Sequence, residues 1–197
     1  MNNKTIILAS NNQGKIKEIK SIFKDYEVIP LKEAEQLLGK ELIVKEDQET
    51  FEDNALEKAI TLFDQVGDAY ICIADDSGLS IDALDGFPGV HTARWMDADD
   101  HTKNLKLLEK LNDKEDRTCH YTTVIALKDA NEEIVFEYTL DGEIADNCRG
   151  NNGFGFDEIF EIENGKTLAE ISTEEKISIS PRTKALEKIE QYLIEKE

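Results

Sequence analysis

The run Tyr70-Ile71-Cys72-Ile73-Ala74 stops abruptly on Asp75-Asp76-Ser77-Gly78, and nothing else in the 197-residue chain restricts the fold as much. A short apolar run bounded by turn formers reads as a strand buried on both faces, the kind found in parallel or mixed sheets covered by helices. Thr5-Ile6-Ile7-Leu8-Ala9 is a second such run. In open α/β sheets ligands gather beyond the carboxyl ends of strands, so the acid pair stands where it can hold a metal ion or activate water. The plain alternative is a turn, which Asp, Ser and Gly all favour.

The rest of the chain intermixes the two kinds of element. After the first strand, the polar stretch 10–15 leads into a helix with Ile16, Ile19, Ile22 and Phe23 on one side. Val28-Ile29-Pro30 reads as a second strand, 33–38 as a short helix closed by Gly39, and Leu42-Ile43-Val44 as a further extended piece. Phe51, Ala55, Leu56, Ala59, Ile60, Phe63 and Val66 trace an amphipathic helix that Gly67 would cap. Residues 79–84 alternate as an exposed strand does, 102–111 read as helix, and 119–127 and 133–144 as strands pairing in a hairpin. A helix over 181–194 closes the chain, with Ser180 as N-cap and Pro181 in the first position. The order predicts an α/β fold on a mixed sheet, as one domain spanning 1–197 or two lobes sharing the sheet.

Charge narrows the partners. The net charge of −20 argues against a nucleic-acid polymer, whose binding draws on a basic face. Small anionic ligands remain open if a few lysines and a divalent cation reverse the local field. No apolar stretch approaches the roughly 20 residues of a membrane span. Residues 1–5 run into the first strand without a signal-peptide core, so the expected location is cytoplasmic. Cys72, Cys119 and Cys148 are odd in number and widely spaced, hence free thiols. His91, His101 and His120 show no metal-ligand spacing, and the acid runs near Asp82 and Asp97 lack the EF-hand pattern.

Three constellations carry possible chemistry. Ser10-Asn11-Asn12-Gln13-Gly14-Lys15, between a strand and a helix N-terminus, presents amide donors, polar side chains and a cation to a phosphate, or is simply a capped turn. Glu46 precedes the Phe51 helix and would complete a hard-cation site with Asp76, since Mg²⁺ needs only one or two protein carboxylates; otherwise it is a solvated charge, as Lys58 is by default. Phe154, Phe156 and Asp157 lie among glycines, where two rings could stack on a base while the carboxylate takes its N–H groups, or where both rings fill a core.

Together these segments resemble the inosine triphosphatase (RdgB-type) family of pyrophosphatases for non-standard purine nucleoside triphosphates. The likeness rests on Ile7 to Lys15, Thr50 to Ala59, Ala74 to Leu79 continuing through Gly86-Phe87-Pro88-Gly89-Val90, Gly153 to Asp157, Glu174-Glu175-Lys176 and Ser180-Pro181-Arg182, in the family's order. The resemblance implies two lobes around a long mixed sheet with a cleft between them, a homodimer, and Mg²⁺-dependent hydrolysis of dITP, ITP or XTP to the monophosphate and pyrophosphate. It assigns Asp76 as proton acceptor and metal ligand, Glu46 as second metal carboxylate, and Asp75 and Asp53 as neighbouring acids. Lys15, Lys58 and the loop from Ser10 through Gly14 would hold the triphosphate, and Ser77 the ribose or phosphate side. Phe154, Gly155 and Phe156 would meet the base faces, Asp157 the base edge, and Lys176 with Arg182 the base and sugar end.

The chain departs from the family at Pro181, where the family has His, at Thr183, and at Glu158, where it has Pro. Proline offers no side-chain donor, so Arg182 alone would serve the 6-keto oxygen, a loss of about one hydrogen bond or roughly 1 to 3 kcal/mol of selectivity. Two other readings stay open: a nucleotide-binding module without turnover, and a house-cleaning enzyme for modified pyrimidines of the Maf kind.

Overall fold

The computed structural model describes residues 4–196; Met1 to Asn3, read above as lacking a signal-peptide core, lie outside them. Among the described residues the strands are β1 (Thr5–Leu8), β2 (Glu27–Pro30), β3 (Ile71–Ile81), β4 (Thr118–Lys128), β5 (Glu133–Ile144) and β6 (Phe160–Glu161). The helices are α1 (Gln13–Ile22), α2 (Leu31–Leu38), α3 (Phe51–Val66), α4 (Asp100–Lys110), α5 (Thr173–Ile179) and α6 (Pro181–Glu195). The strands form one mixed sheet in the order β2-β1-β3-β4-β5-β6. β1 runs parallel to β2 and to β3, with Ile7 opposite Ile29 and Cys72, while β5 and β6 are antiparallel.

The chain divides into two compact units, Met1–Asp76 with Thr123–Tyr138 and Arg182–Glu197, and Ser77–Thr122 with Thr139–Pro181. In the first unit strand side chains alternate between two apolar layers, as a two-residue period requires. Ile6, Leu8, Ile71, Ile73, Ile125 and Leu127 pack with Ile16 and Ile19 of α1 and with Ala185, Leu186 and Ile189 of α6. Ile7, Ala9, Cys72, Ala74, Val124 and Ala126 pack with Leu31 and Ala34 of α2 and with Ala55, Ala59 and Leu62 of α3. Each buried Leu or Ile contributes about 1.5 to 3 kcal/mol, and a one-residue slip of β3 would exchange Ile71 and Ile73 with the smaller Cys72 and Ala74 between the two layers, overfilling one and leaving voids in the other. The second unit has its own core, including Leu79, Ile81, Leu107, Leu111, Phe156, Ile159 and Phe160.

The expected helices form, with caps that explain their ends. Asn12 caps α1 by accepting from the Lys15 amide, Thr50 caps α3 through the Asp53 amide, and Gly39 ends α2 in the left-handed conformation. Three expectations need correction. β3 does not turn at the acids: it runs unbroken through Asp75, Asp76, Ser77 and Gly78, held beyond them by the Leu79 amide on Thr92 Oγ1 at 3.0 Å and by a bridge between Ser80 and Pro88. Leu79 and Ile81 are fully buried, so this stretch is no exposed strand, and at Asp82 it passes into a short 3₁₀ turn. Residues 42–44 join no sheet, because their backbone is satisfied by side chains: Leu42 donates to Glu35 Oε1, and Ile43 exchanges two bonds with the Gln65 amide. No helix among the described residues is long and apolar enough to cross a membrane.

Candidate active site

Alternation along β3 decides what each acid meets. Asp75 continues the face of Ile71 and Ile73, which α1 and α6 cover, and it meets their cations: Lys15 Nζ lies 2.7 Å and Arg182 Nε 3.4 Å from Asp75 Oδ2. Asp76 continues the face of Cys72 and Ala74, which α3 covers, and its Oδ1 is 3.5 Å from Lys58 Nζ. Lys58, only 1% exposed, also donates to the Asp75 carbonyl at 2.7 Å and to Glu46 Oε1 at 2.5 Å. One ammonium thus gathers Asp76 and Glu46, the two carboxylates expected to share a cation.

The electrostatics separate the two aspartates. Burial pushes the Asp75 carboxyl up, but Lys15, Arg182 and Lys58 together outweigh it and hold the pKa at about 2. Asp75 is therefore a fixed anion. For Asp76 burial wins: the carboxyl is raised, Lys58 and Lys15 opposing and Glu46 and Asp75 reinforcing the shift. A raised carboxylate is the better proton acceptor of the two. Asp75 Oδ1 and Asp76 Oδ2 are buried without a hydrogen-bond partner, an uncommon state for buried polar atoms. An all-oxygen donor set with orphaned carboxylate atoms suits a hard divalent cation such as Mg²⁺.

The loop before α1 is partly occupied with its own structure. Ser10 Oγ accepts from the Asn12 amide, Asn11 Oδ1 accepts from the Lys32 amide at the start of α2, and Gln13 Nε2 donates to the Asn11 carbonyl. With Asn12 engaged at Lys15, the amides of Gln13 and Gly14 are the first-turn donors that have no intrahelical partner. Two positioning residues escaped the sequence reading. Glu18, one turn on from Lys15, accepts from Arg182 Nη1 at 2.9 Å, and fully buried Asn54 clasps the backbone of Gln48, fixing the segment that carries Glu46. Asp53, named with the neighbouring acids, is exposed and bonds Thr50 at the start of α3. Arg182, expected at the base and sugar end, is 3% exposed and engaged by Asp75 and Glu18.

In the second unit, Asp157 Oδ2 accepts from the Phe154 amide at 2.8 Å and pairs with Lys176, whose ammonium also stands 4.5 Å from the centre of the Phe154 ring. Helix α4 holds the segment: Asp100 Oδ2 accepts from the Gly155 amide at 2.7 Å and Asn104 Nδ2 donates to the Gly155 carbonyl at 3.0 Å. Phe156 is a core side chain at 7% exposure, whereas Phe154 is 40% exposed. Gly153 has φ +82°, and a Cβ there would overlap Asp157 Oδ2, so this glycine is required twice over. Ser77 is half-buried on β3, and Pro181 is buried at the first position of α6.

The sequence matches the Ham1 family over residues 6–192. The chain belongs to the Ham1 family. Among its relatives is a protein named dITP/XTP pyrophosphatase from Caldanaerobacter subterraneus subsp. tengcongensis, 42% identical over 97% of this chain and 96% of the relative. Another of that name from Staphylococcus aureus is 41% identical over 96% of each. The fold agrees: the solved Ham1 protein of Staphylococcus aureus superposes with a TM-score of 0.87 at 39% identity, covering 98% of this chain and all of that one. A HAM1 protein from Coxiella burnetii gives 0.86 at 36% identity, covering 97% and 98%. The family is the one that the motifs resemble.

Proposed function

We propose that this Ham1-family chain is a nucleoside-triphosphate pyrophosphatase that hydrolyses dITP, ITP and XTP to the monophosphate and pyrophosphate, with Mg²⁺ as cofactor. The observation that carries the reading is the pair of buried aspartates on adjacent positions of β3, one held ionised by three cations and the other raised beside Lys58 and Glu46. The named relatives support the substrate class.

Asp76 accepts the proton of the attacking water, and the resulting hydroxide adds to the α-phosphorus as the bond to the bridging oxygen breaks and pyrophosphate leaves. Lys15 and the first-turn amides of α1 receive the triphosphate charge, and Lys58 holds Asp76 and Glu46 beside one another. Asp76 and Glu46 would hold Mg²⁺, which would supply charge neutralisation for a bound triphosphate. Asp75 stays anionic and fixes Lys15 and Arg182 in place. Phe154 offers a ring face to the base, Asp157 and Lys176 set its edge, and Phe156 anchors the segment from the core. Ser77 takes the ribose or phosphate side. The same reading includes a cytoplasmic homodimer, which sedimentation at working concentration tests for assembly.

Product analysis on ITP, XTP, dITP, ATP and modified pyrimidine triphosphates, with and without Mg²⁺, tests the activity. Pyrophosphate release from the keto purines is expected. Release of orthophosphate, preference for the pyrimidines, or no turnover at all would overturn it.

A further inference from the structure

The second unit brings three unlike metal-binding groups together. A ring nitrogen of His101, the Cys148 sulfur and a Glu158 carboxylate oxygen all lie within 4.8 Å of one another. We propose that His101, Cys148 and Glu158 form a site for a divalent transition-metal ion of the zinc type, with its fourth position open to solvent.

The chemistry of the donors selects the ion. Imidazole, thiolate and carboxylate together suit Zn²⁺ and its neighbours and do not suit Mg²⁺, which takes oxygen donors. Zinc-to-ligand bonds of about 2.0 to 2.3 Å put ligand atoms roughly 3 to 4 Å apart on a tetrahedral ion, so the observed spread closes by small side-chain rotations. His101 Nδ1 already lies 2.8 Å from Glu158 Oε2, and its side chain is 59% exposed, which leaves an approach from solvent. Asn104 Nδ2 donates to the same Glu158 oxygen at 3.3 Å, the kind of carboxylate support that metal ligands commonly have. On binding, the Cys148 S–H proton passes to solvent, and bonds to the metal replace the contact between His101 and Glu158.

The ligands come from places that matter to the glycine-rich segment. His101 is in the first turn of α4, and Cys148 and Glu158 flank residues 150–157 on either side. Asp100 and Asn104 of the same helix already bond Gly155. A metal at this point fastens α4 to both ends of the segment.

The test uses the full chain with Mg²⁺ in excess, so that the all-oxygen site is filled. Titration with Co²⁺ is expected to give a thiolate-to-cobalt charge-transfer absorption that saturates at one equivalent and is bleached by Zn²⁺. Cys148→Ser abolishes that band, and His101→Gln weakens cobalt binding about tenfold or more. Zn²⁺ slows amide exchange over 150–158 in the wild type and leaves it unchanged in His101→Gln. No sulfur band, or a band that survives Cys148→Ser, overturns the proposal; should that variant fail to fold, unaltered affinity in His101→Gln does so.

Discussion

The aspartate cluster of the first unit and the glycine-rich segment of the second are built in opposite ways. The cluster draws its groups from far apart in sequence, Glu18 and Arg182 being 164 residues apart, and seats most of them on regular elements where neighbouring packing fixes their rotamers. The segment is a contiguous stretch whose shape depends on backbone conformations open to glycine and on side-chain bonds from Asp100, Asn104 and Asp157. Buried charge on strands and helices gives fixed geometry for a reaction, whereas a braced loop with one exposed ring gives an adjustable surface for recognition. If that contrast is right, changes in the cluster alter kcat and acid stability, and changes in the segment alter KM and substrate choice.

The largest effect is expected from Asp76→Asn, which removes the proposed proton acceptor and lowers kcat roughly 10²- to 10⁴-fold. Its stability should hold or rise, because the raised carboxyl shows that ionisation at this site costs folding energy, and the amide has none to lose. Turnover close to wild type would break the assignment of Asp76. Asp75→Asn comes next, leaving Arg182 and Lys15 without their buried anion at a cost of about 3 to 5 kcal/mol. The sign of its pH dependence follows from the lowered pKa. The Asp75 contribution is complete above the ordinary value of 3.8 and is lost as pH falls towards about 2, so the stability gap between wild type and variant is constant near neutrality and narrows by about 2.5 kcal/mol across that window. Denaturant titrations at several pH values measure it, and a gap independent of pH would show that the carboxylate charge is not what holds this corner.

What the sequence reveals divides along the same line. Continuous apolar runs disclosed β1 and the start of β3, and helical periodicity with caps disclosed α1, α3 and α6, because local chemistry dictates each of them. The passage of β3 through four turn-forming residues was hidden, since Thr92 and Pro88, which hold it extended, are tertiary partners. Helix α5 was legible in principle: Ser172 and Glu175 form a reciprocal capping box at the right spacing. The two-residue period of β3 already sends Asp75 and Asp76 to opposite faces, but only the fold shows which cations each face carries. His101, Cys148 and Glu158 show the limit most sharply, for their separation in sequence conceals a shared locus.

Gly153→Ala probes the braced segment. The new methyl meets Asp157 Oδ2 at a left-handed φ, so the loop must shift, costing about 2 to 5 kcal/mol locally. KM for ITP should rise at least about tenfold with kcat retained within a small factor. Loss of kcat alone would mean that segment and cluster are not functionally separate.

The smallest change sharpens the contrast furthest. Pro181 is buried at the first position of α6 and brings no donor, while the neighbouring Arg182 is committed to Asp75 and Glu18. Placing an imidazole there by Pro181→His adds a donor without touching the reacting groups. The ratio of kcat/KM for ITP over ATP is the right readout, because any general loss from removing a favourable first-position proline cancels between two substrates assayed on the same variant. One hydrogen bond to the 6-keto oxygen raises that ratio by the equivalent of roughly 1 to 3 kcal/mol. A ratio that stays flat while both substrates weaken together would place base discrimination wholly on Phe154, Asp157 and Lys176, and would make the start of α6 a structural support for Asp75.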